Sequence, residues 1–238
     1  MNAIRTTLAV ALLLLAGKNV TAQKVDDIVK KHVEAIGGAD KWKGINSLKF
    51  SGEFIAIDGQ KVLFTYIVSE GTAIRKEYTY ANTGSMAYVV VTRKEGWAFI
   101  PQPGLKSRNE MIPPVSVQKL RYSLLAQDPL VNYKSKGSKV EFVGKEKIND
   151  KQCYKLQIAF KGDTGVYRQI MFIDTNTYLN MQTSIVTEDG ENELIHYNDF
   201  KATGEGLVLP MMFNEGAGPQ YISKIEVNAA IDPKAFKI

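Results

Sequence analysis

The chain has 238 residues, 45% of them hydrophobic and 23% charged, with 30 Lys and Arg against 25 Asp and Glu and a formal charge of +5. This apolar content is enough for a packed core and excludes a disordered segment as the main product. The basic residues are scattered, so the small positive balance points to no polyanion, and no nucleic-acid partner is expected.

The first segment reads as a secretion signal. Arg5 supplies a positive start, Leu8 to Gly17 is a short apolar run, and Val20-Thr21-Ala22 offers the small residues that a signal peptidase reads. The run is shorter than the about 20 apolar residues of a membrane span. Cleavage is expected after Ala22, leaving residues 23–238 as a single domain in the periplasm. No cysteine stands directly after the cut, where Gln23 does, so no lipid anchor is expected. Cys153 is the only cysteine, which excludes an intramolecular disulfide.

Lys24 to Ile36 reads as a helix: Val25, Ile28, Val29, Val33 and Ile36 recur at helical spacing, and Gly37-Gly38 stops it. His32 falls on the same stripe and reads as a packed boundary residue rather than a ligand. Asp40 can cap a short turn carrying Trp42. Strands follow. Leu48 to Ile57 and Lys61 to Val68 flank the turn pair Asp58-Gly59; Ala73 to Tyr80 and Ala87 to Arg93 flank Asn82-Thr83-Gly84; Gly96 to Ile100 carries Trp97 and Phe99 on one face. Pro101 to Tyr133 is a long insertion, irregular at first and then helical over Ser116 to Ala126 through Val117, Leu120, Leu124 and Leu125. Loops are usually short, so this segment reads as a lid or binding element.

Val140 to Phe160 reads as a hairpin turning at Asn149-Asp150-Lys151. Its second half alternates: Tyr154, Leu156, Ile158 and Phe160 face one way, and Cys153, Lys155, Gln157 and Ala159 the other. Val166 to Ile173, Tyr178 to Thr187, Glu193 to Phe200, Leu207 to Phe213 and Ile222 to Ala229 complete about ten strands, antiparallel by their short links. The fold class is mainly β with α (α+β).

Chemistry is sparse. The two histidines, His32 and His196, stand on different elements, and no HExxH, CxxC, GxSxG, Walker or GxGxxG pattern occurs. No cofactor, metal or catalytic residue is expected, and the chain does not read as an enzyme. Glu188 to Glu193 reads as a solvated hairpin tip rather than a calcium loop. On a strand, His196 and Asn198 share one face while Tyr197 and Asp199 share the other, so these four do not form one site. Many one-sided strands with few helices leave two possibilities open: a core packed throughout, or an apolar space for a long ligand.

Gly37 to Gly52, GGADKWKGINSLKFSG, resembles the opening of exported Bacteroidota proteins of the outer-membrane lipoprotein-sorting type, called LolA-like. The resemblance continues through Gly96-Trp97-Ala98-Phe99-Ile100-Pro101, Gly144 to Ile148, Phe172-Ile173-Asp174 with Tyr178-Leu179, Tyr197 to Phe200, Gly206 to Pro210, Ile225 to Asn228, and Ile231-Asp232-Pro233 before Phe236. It implies a curved, half-open antiparallel β-barrel with helices packed in its concave mouth and an apolar cavity between. It also implies a carrier or binder of lipoprotein acyl chains or another lipid, monomeric, working with inner- or outer-membrane envelope proteins. The cavity residues expected on this reading are Phe54, Phe64, Trp97, Phe99, Leu120, Leu124, Tyr154, Leu156 and Ile158. The alternative is an envelope interaction module with a packed core and no ligand.

Overall fold

The structure, a computed structural model, describes residues 24–102, 106–162, 165–186 and 192–237. Residues 1–23, which include the expected secretion signal, residues 103–105 of the expected insertion and residues 187–191, which hold most of the acidic stretch, lie outside the described residues. Helix α1 spans residues 24–35 and α2 spans Ala39–Lys43. The strands are β1 Ser47–Ile55, β2 Lys61–Ser69, β3 Ala73–Tyr80, β4 Met86–Thr92, β5 Gly96–Ile100 and β6 Arg108–Met111, then β7 Lys139–Ile148, β8 Lys151–Gly162, β9 Gly165–Asp174, β10 Asn180–Val186, β11 Asn192–Ala202, β12 Val208–Asn214 and β13 Gln220–Val227. Helix α3, Pro114–Leu120, continues as a 3₁₀ turn over Arg121–Leu124, and a second 3₁₀ turn covers Pro233–Phe236.

All thirteen strands belong to one antiparallel sheet, in the order β6-β5-β4-β3-β2-β1-β13-β12-β11-β10-β9-β8-β7. The sheet is not closed, because β6 and β7 are its two edges. The expectation of about ten strands is therefore too low. The segments named from the sequence cover twelve of the thirteen; the one they lack is β6, whose Arg-Asn-Glu-Met sequence has no apolar alternation, and it forms because β5 offers it an unpaired edge, with Trp97 opposite Met111 and Ile100 opposite Arg108.

Turn chemistry sets the hairpins. Gly59 takes φ +81° after Asp58. Between β7 and β8, Asn149 and Asp150 both adopt positive φ, 44° and 66°, which these two side chains tolerate better than other non-glycine residues. The hairpin over Val140 to Phe160 forms as its alternation predicts, with Leu156 and Ile158 fully buried on the inner face.

The inner face carries three packed clusters. Under α1, Val25, Ile28 and Val29 meet Leu156, Ile158, Met171 and Ile173. Around α2 and α3, Trp42 and Val117 meet Leu48, Val68, Ile74 and Val91. The third is aromatic: Phe54, Phe64 and Tyr66 of β1 and β2 pack with Phe213 of β12 and with Ile185 and Ile195. Phe64 and Phe213 stand three strand positions apart, roughly 14 Å in a flat sheet, yet their ring centroids are 5.8 Å apart. The sheet must bend toward this face. Gly52 permits the contact. It lies opposite Phe64, at a register shift in β1, and a Cβ there would sit 2.7 Å from the Phe64 ring and 1.9 Å from the Tyr221 carbonyl oxygen. Such irregularities increase local twist and bend.

The crossover from β6 to β7, residues 112–138, runs across the inner face. The Glu70 carboxylate accepts from the Ala126 and Gln127 amides at 2.6 and 2.8 Å, the Gly71 amide donates to the Leu124 carbonyl at 2.8 Å, and the Gln127 side chain donates to the Ile45 carbonyl at 2.9 Å. The expected helix over Ser116 to Ala126 is thus an α-helix that tightens to a 3₁₀ turn where these bonds hold the chain.

Gly52→Ala should lower unfolding free energy by about 3 kcal/mol, since the added methyl overpacks against backbone. Gly204→Ala, where a Cβ meets nothing within 4 Å, should change it by less than about 0.5 kcal/mol. Urea denaturation of the two variants checks this; equal stabilities would contradict it.

Candidate functional site

A cavity of about 280 Å³ lies on the inner face, between the sheet, the first two helices and the crossover. Its wall is mostly apolar. Ile36 and Trp42 come from the helical segment, Leu48, Phe50, Tyr66, Val68 and Ile74 from β1 to β3, and Met171, Ile195, Leu209, Phe213 and Ile225 from the other half of the sheet. The crossover lines one side of it with residues 125–129. The cavity exists because strands far apart in sequence meet through the β1–β13 pairing, where Leu48 stands opposite Val227 and Phe50 opposite Ile225.

Polar groups interrupt this wall in bonded sets. Lys76, on the inner face of β3 between Ile74 and Tyr78, donates to both carboxylate oxygens of Glu215 at 3.1 and 3.0 Å. Its ammonium also stands 4.8 Å from the centre of the Tyr66 ring. The Tyr66 hydroxyl donates to Gln220 Oε1 at 3.1 Å and bonds the Tyr78 hydroxyl at 2.7 Å. Burial pushes both phenols above their usual range, Tyr66 far above it, so they remain neutral. Burial does the same to Tyr197, reinforced by Glu215 and Asp128 and opposed by a hydrogen bond with Thr183.

His32 is fully buried and fastens three elements. Its Nδ1 is 2.7 Å from the Tyr178 carbonyl and its Nε2 is 3.2 Å from Asp128 Oδ2. The Tyr178 carbonyl accepts from Nδ1–H, and the Asp128 carboxylate beside Nε2 favours the protonated, cationic ring. Burial pulls its pKa down, but the Asp128 charge and the two hydrogen bonds outweigh that and leave it raised above 6.5. The boundary histidine of the sequence is a cross-link between α1, the β9–β10 turn and the crossover.

The nine residues expected to line a cavity are divided among other surroundings, and none is on the wall of this cavity. Phe54 and Phe64 sit in the aromatic cluster beside it. Leu120 and Leu124 pack in the cluster around α3, and Tyr154, Leu156 and Ile158 lie under α1. Trp97 and Phe99 face the opposite side of the sheet, where Phe99 stacks on Tyr88 at 5.0 Å and Arg75 lies over Tyr88. The reason is steric. The inward positions of β5 are Gly96 and Ala98, and a Cβ on Gly96 would meet Val117 of α3 at 2.9 Å, so the large rings take the other face. Sequence reading passed over Lys76 and Glu215. The available signal was a lysine at an inward position of β3, Ile74-Lys76-Tyr78.

Cys153 packs with Ile148, Phe172 and Met181 on the other face. Burial pushes its thiol up to about 11, which makes it a poor nucleophile. Among the described residues no group of three or more His, Cys, Asp or Glu side chains could hold a metal ion.

Three solved structures are similar over nearly the whole chain. One is a domain named for outer membrane lipoprotein sorting from Vibrio parahaemolyticus, 13% identical, covering 91% of this chain and 97% of its own at a TM-score of 0.51. A LolA superfamily protein from Nitrosomonas europaea is 13% identical and covers 90% and 97%, with a TM-score of 0.54. A DUF1329 family protein from Desulfovibrio piger is 12% identical and covers 90% and 97%, with a TM-score of 0.52. No family model and no curated protein matches the sequence. The chain has the LolA-like fold, as the resemblance of its motifs implied.

Because the folded pKa of His32 is raised, its contribution to stability is fully present below about pH 6.5 and is lost as pH rises through the higher folded value. Unfolding free energy should therefore fall as pH rises above about 6.5 and through the raised folded pKa, and His32→Gln should flatten that slope. Chemical denaturation across this range decides it; the same slope in the variant would contradict the assignment.

Proposed function

We propose that this protein holds a lipidic ligand in its inner cavity and carries it within the cell envelope, without chemistry on the ligand. The observation that supports this most is the cavity itself. A sheet of thirteen strands with one apolar face is roofed by a tied crossover and still keeps an unfilled, largely apolar space of about 280 Å³. That volume is close to the lower end of small-ligand pockets, about 300 Å³. Each methylene taken from water contributes about 0.8 kcal/mol, so one acyl chain supplies enough affinity.

The secretion signal at residues 1–22 and the LolA-like fold support a periplasmic place for a single domain over residues 23–238. A similar domain is named for lipoprotein sorting, which supports lipoprotein acyl chains as one form of cargo and envelope proteins as donor and acceptor. The reading needs no catalytic group, and the protein acts as a monomer. A chain longer than the cavity would have to part the flanking clusters to reach Phe54, Phe64, Leu124, Leu156 and Ile158, which are buried there.

Leu209 is half-buried on the cavity wall, and a lysine there would place a charge against the acyl chain. Leu209→Lys should weaken binding of a fluorescent fatty-acyl probe by about tenfold or more while the protein stays folded. Ile57→Lys, at a residue 93% exposed, should leave binding unchanged. Equal binding by both folded variants would contradict the cavity as the binding place.

A further inference from the structure

Four ionisable side chains line the cavity besides its tyrosines: His32, Lys76, Asp128 and Glu215. They occur as two opposite pairs. Lys76 is taken up by both oxygens of Glu215, at 3.0 and 3.1 Å, and the two side chains are only 14% and 27% exposed. His32 Nε2 faces Asp128 Oδ2 at 3.2 Å, and Asp128 Oδ1 accepts from the Leu130 amide at 2.8 Å, so the Asp128 carboxylate is already partnered. The phenols of Tyr66 and Tyr197 are neutral.

We infer that the ligand of this cavity has no net charge where it is held, so that the site selects acyl esters, acyl amides or acyl alcohols over fatty anions and cationic amphiphiles. The inference rests on the proposed lipid-binding role and adds the headgroup class to it. An ionised head would have to leave water for a wall whose charges are already matched. To bind, a sulfonate or phosphate would have to break Lys76 away from Glu215, leaving that carboxylate uncompensated, and a cation would face the converse exchange with Lys76. Losing one partner of a buried pair is far more costly than never having the pair. A neutral ester or hydroxyl head needs only hydrogen bonds. Thr183 and Gln169 stand on the wall to provide them without disturbing either pair, while the Ser123 hydroxyl is engaged with the Leu120 carbonyl.

The test uses three probes of equal chain length, each below its micellar concentration: 1-lauroylglycerol, dodecyl sulfonate and dodecyltrimethylammonium. Sulfonate and quaternary ammonium cannot neutralise themselves on entering. Isothermal titration should give the glycerol ester a Kd at least about tenfold lower than either ion. In Glu215→Gln, Lys76 is freed, and dodecyl sulfonate should tighten by about tenfold. In Lys76→Met with Glu215→Gln, the charges leave together and the preference for the neutral ester should return, which also guards against a single variant that folds poorly. Equal or tighter binding of either ion by the native protein overturns the inference while leaving the lipid reading intact. So does an unchanged sulfonate affinity in folded Glu215→Gln. If none of the three probes binds, the lipid reading fails and the inference falls with it.

Discussion

The pairing of β1 with β13 is the constraint on which the rest of this structure depends. It joins the first and last strands at the middle of the sheet, with Leu48 against Val227 and Phe50 against Ile225. Two meanders then grow outward from this seam, one ending at β6 and the other beginning at β7. The chain must travel from one edge to the other, and the inner face, apolar along almost every strand, has to be covered on the way. A single segment serves both needs. The crossover spans the edges and roofs the face, while α1 and α2 cover the remainder. Bending at the seam, permitted by Gly52, brings Phe64 to Phe213 and turns a broad sheet into a container.

What holds the roof is polar, although what it covers is apolar. Glu70 receives two amides of the crossover, Gln127 reaches the Ile45 carbonyl, and Asp128 meets His32 of α1. These bonds fix the crossover at a height that leaves space beneath it. Protein interiors otherwise pack to the density of organic crystals, and an unfilled space forgoes dispersion contacts along its lining. Lys76 and Glu215 add the desolvation of two charges to the same wall. A fold selected only for stability would have filled the space with side chains, and one that stores an acyl chain has reason to keep it.

The local structure was legible in the sequence wherever one period or one turn pair decided it. Asp58-Gly59, Asn149-Asp150 and the alternation Tyr154-Leu156-Ile158-Phe160 all produced the hairpins and faces expected of them. Strand β6 was not legible, because Arg108–Met111 pairs for want of a neighbour on β5 and not through its own pattern. The site was harder to read. Alternation assigns residues to two faces but does not name the inner one on an isolated strand, and on β5 the choice was made by α3, which packs on Gly96 and sends Trp97 and Phe99 outward. The wall of the cavity joins β1–β3 to β9–β13, a juxtaposition set by the order of strands and invisible to periodicity. Lys76 was the one local clue, a charge at an inward position, and its meaning depended on Glu215, which follows it by 139 residues.

The central claim is that the inner cavity holds a lipid in the cell. Native mass spectrometry of the mature protein, purified from its own envelope fraction without detergent and followed by organic extraction, tests it most directly. The account predicts a stoichiometric adduct that extracts as an uncharged acylated species. A clean ligand-free mass, unchanged after incubation with acylated peptides and acylglycerols, would contradict it and leave an envelope interaction module as the better description.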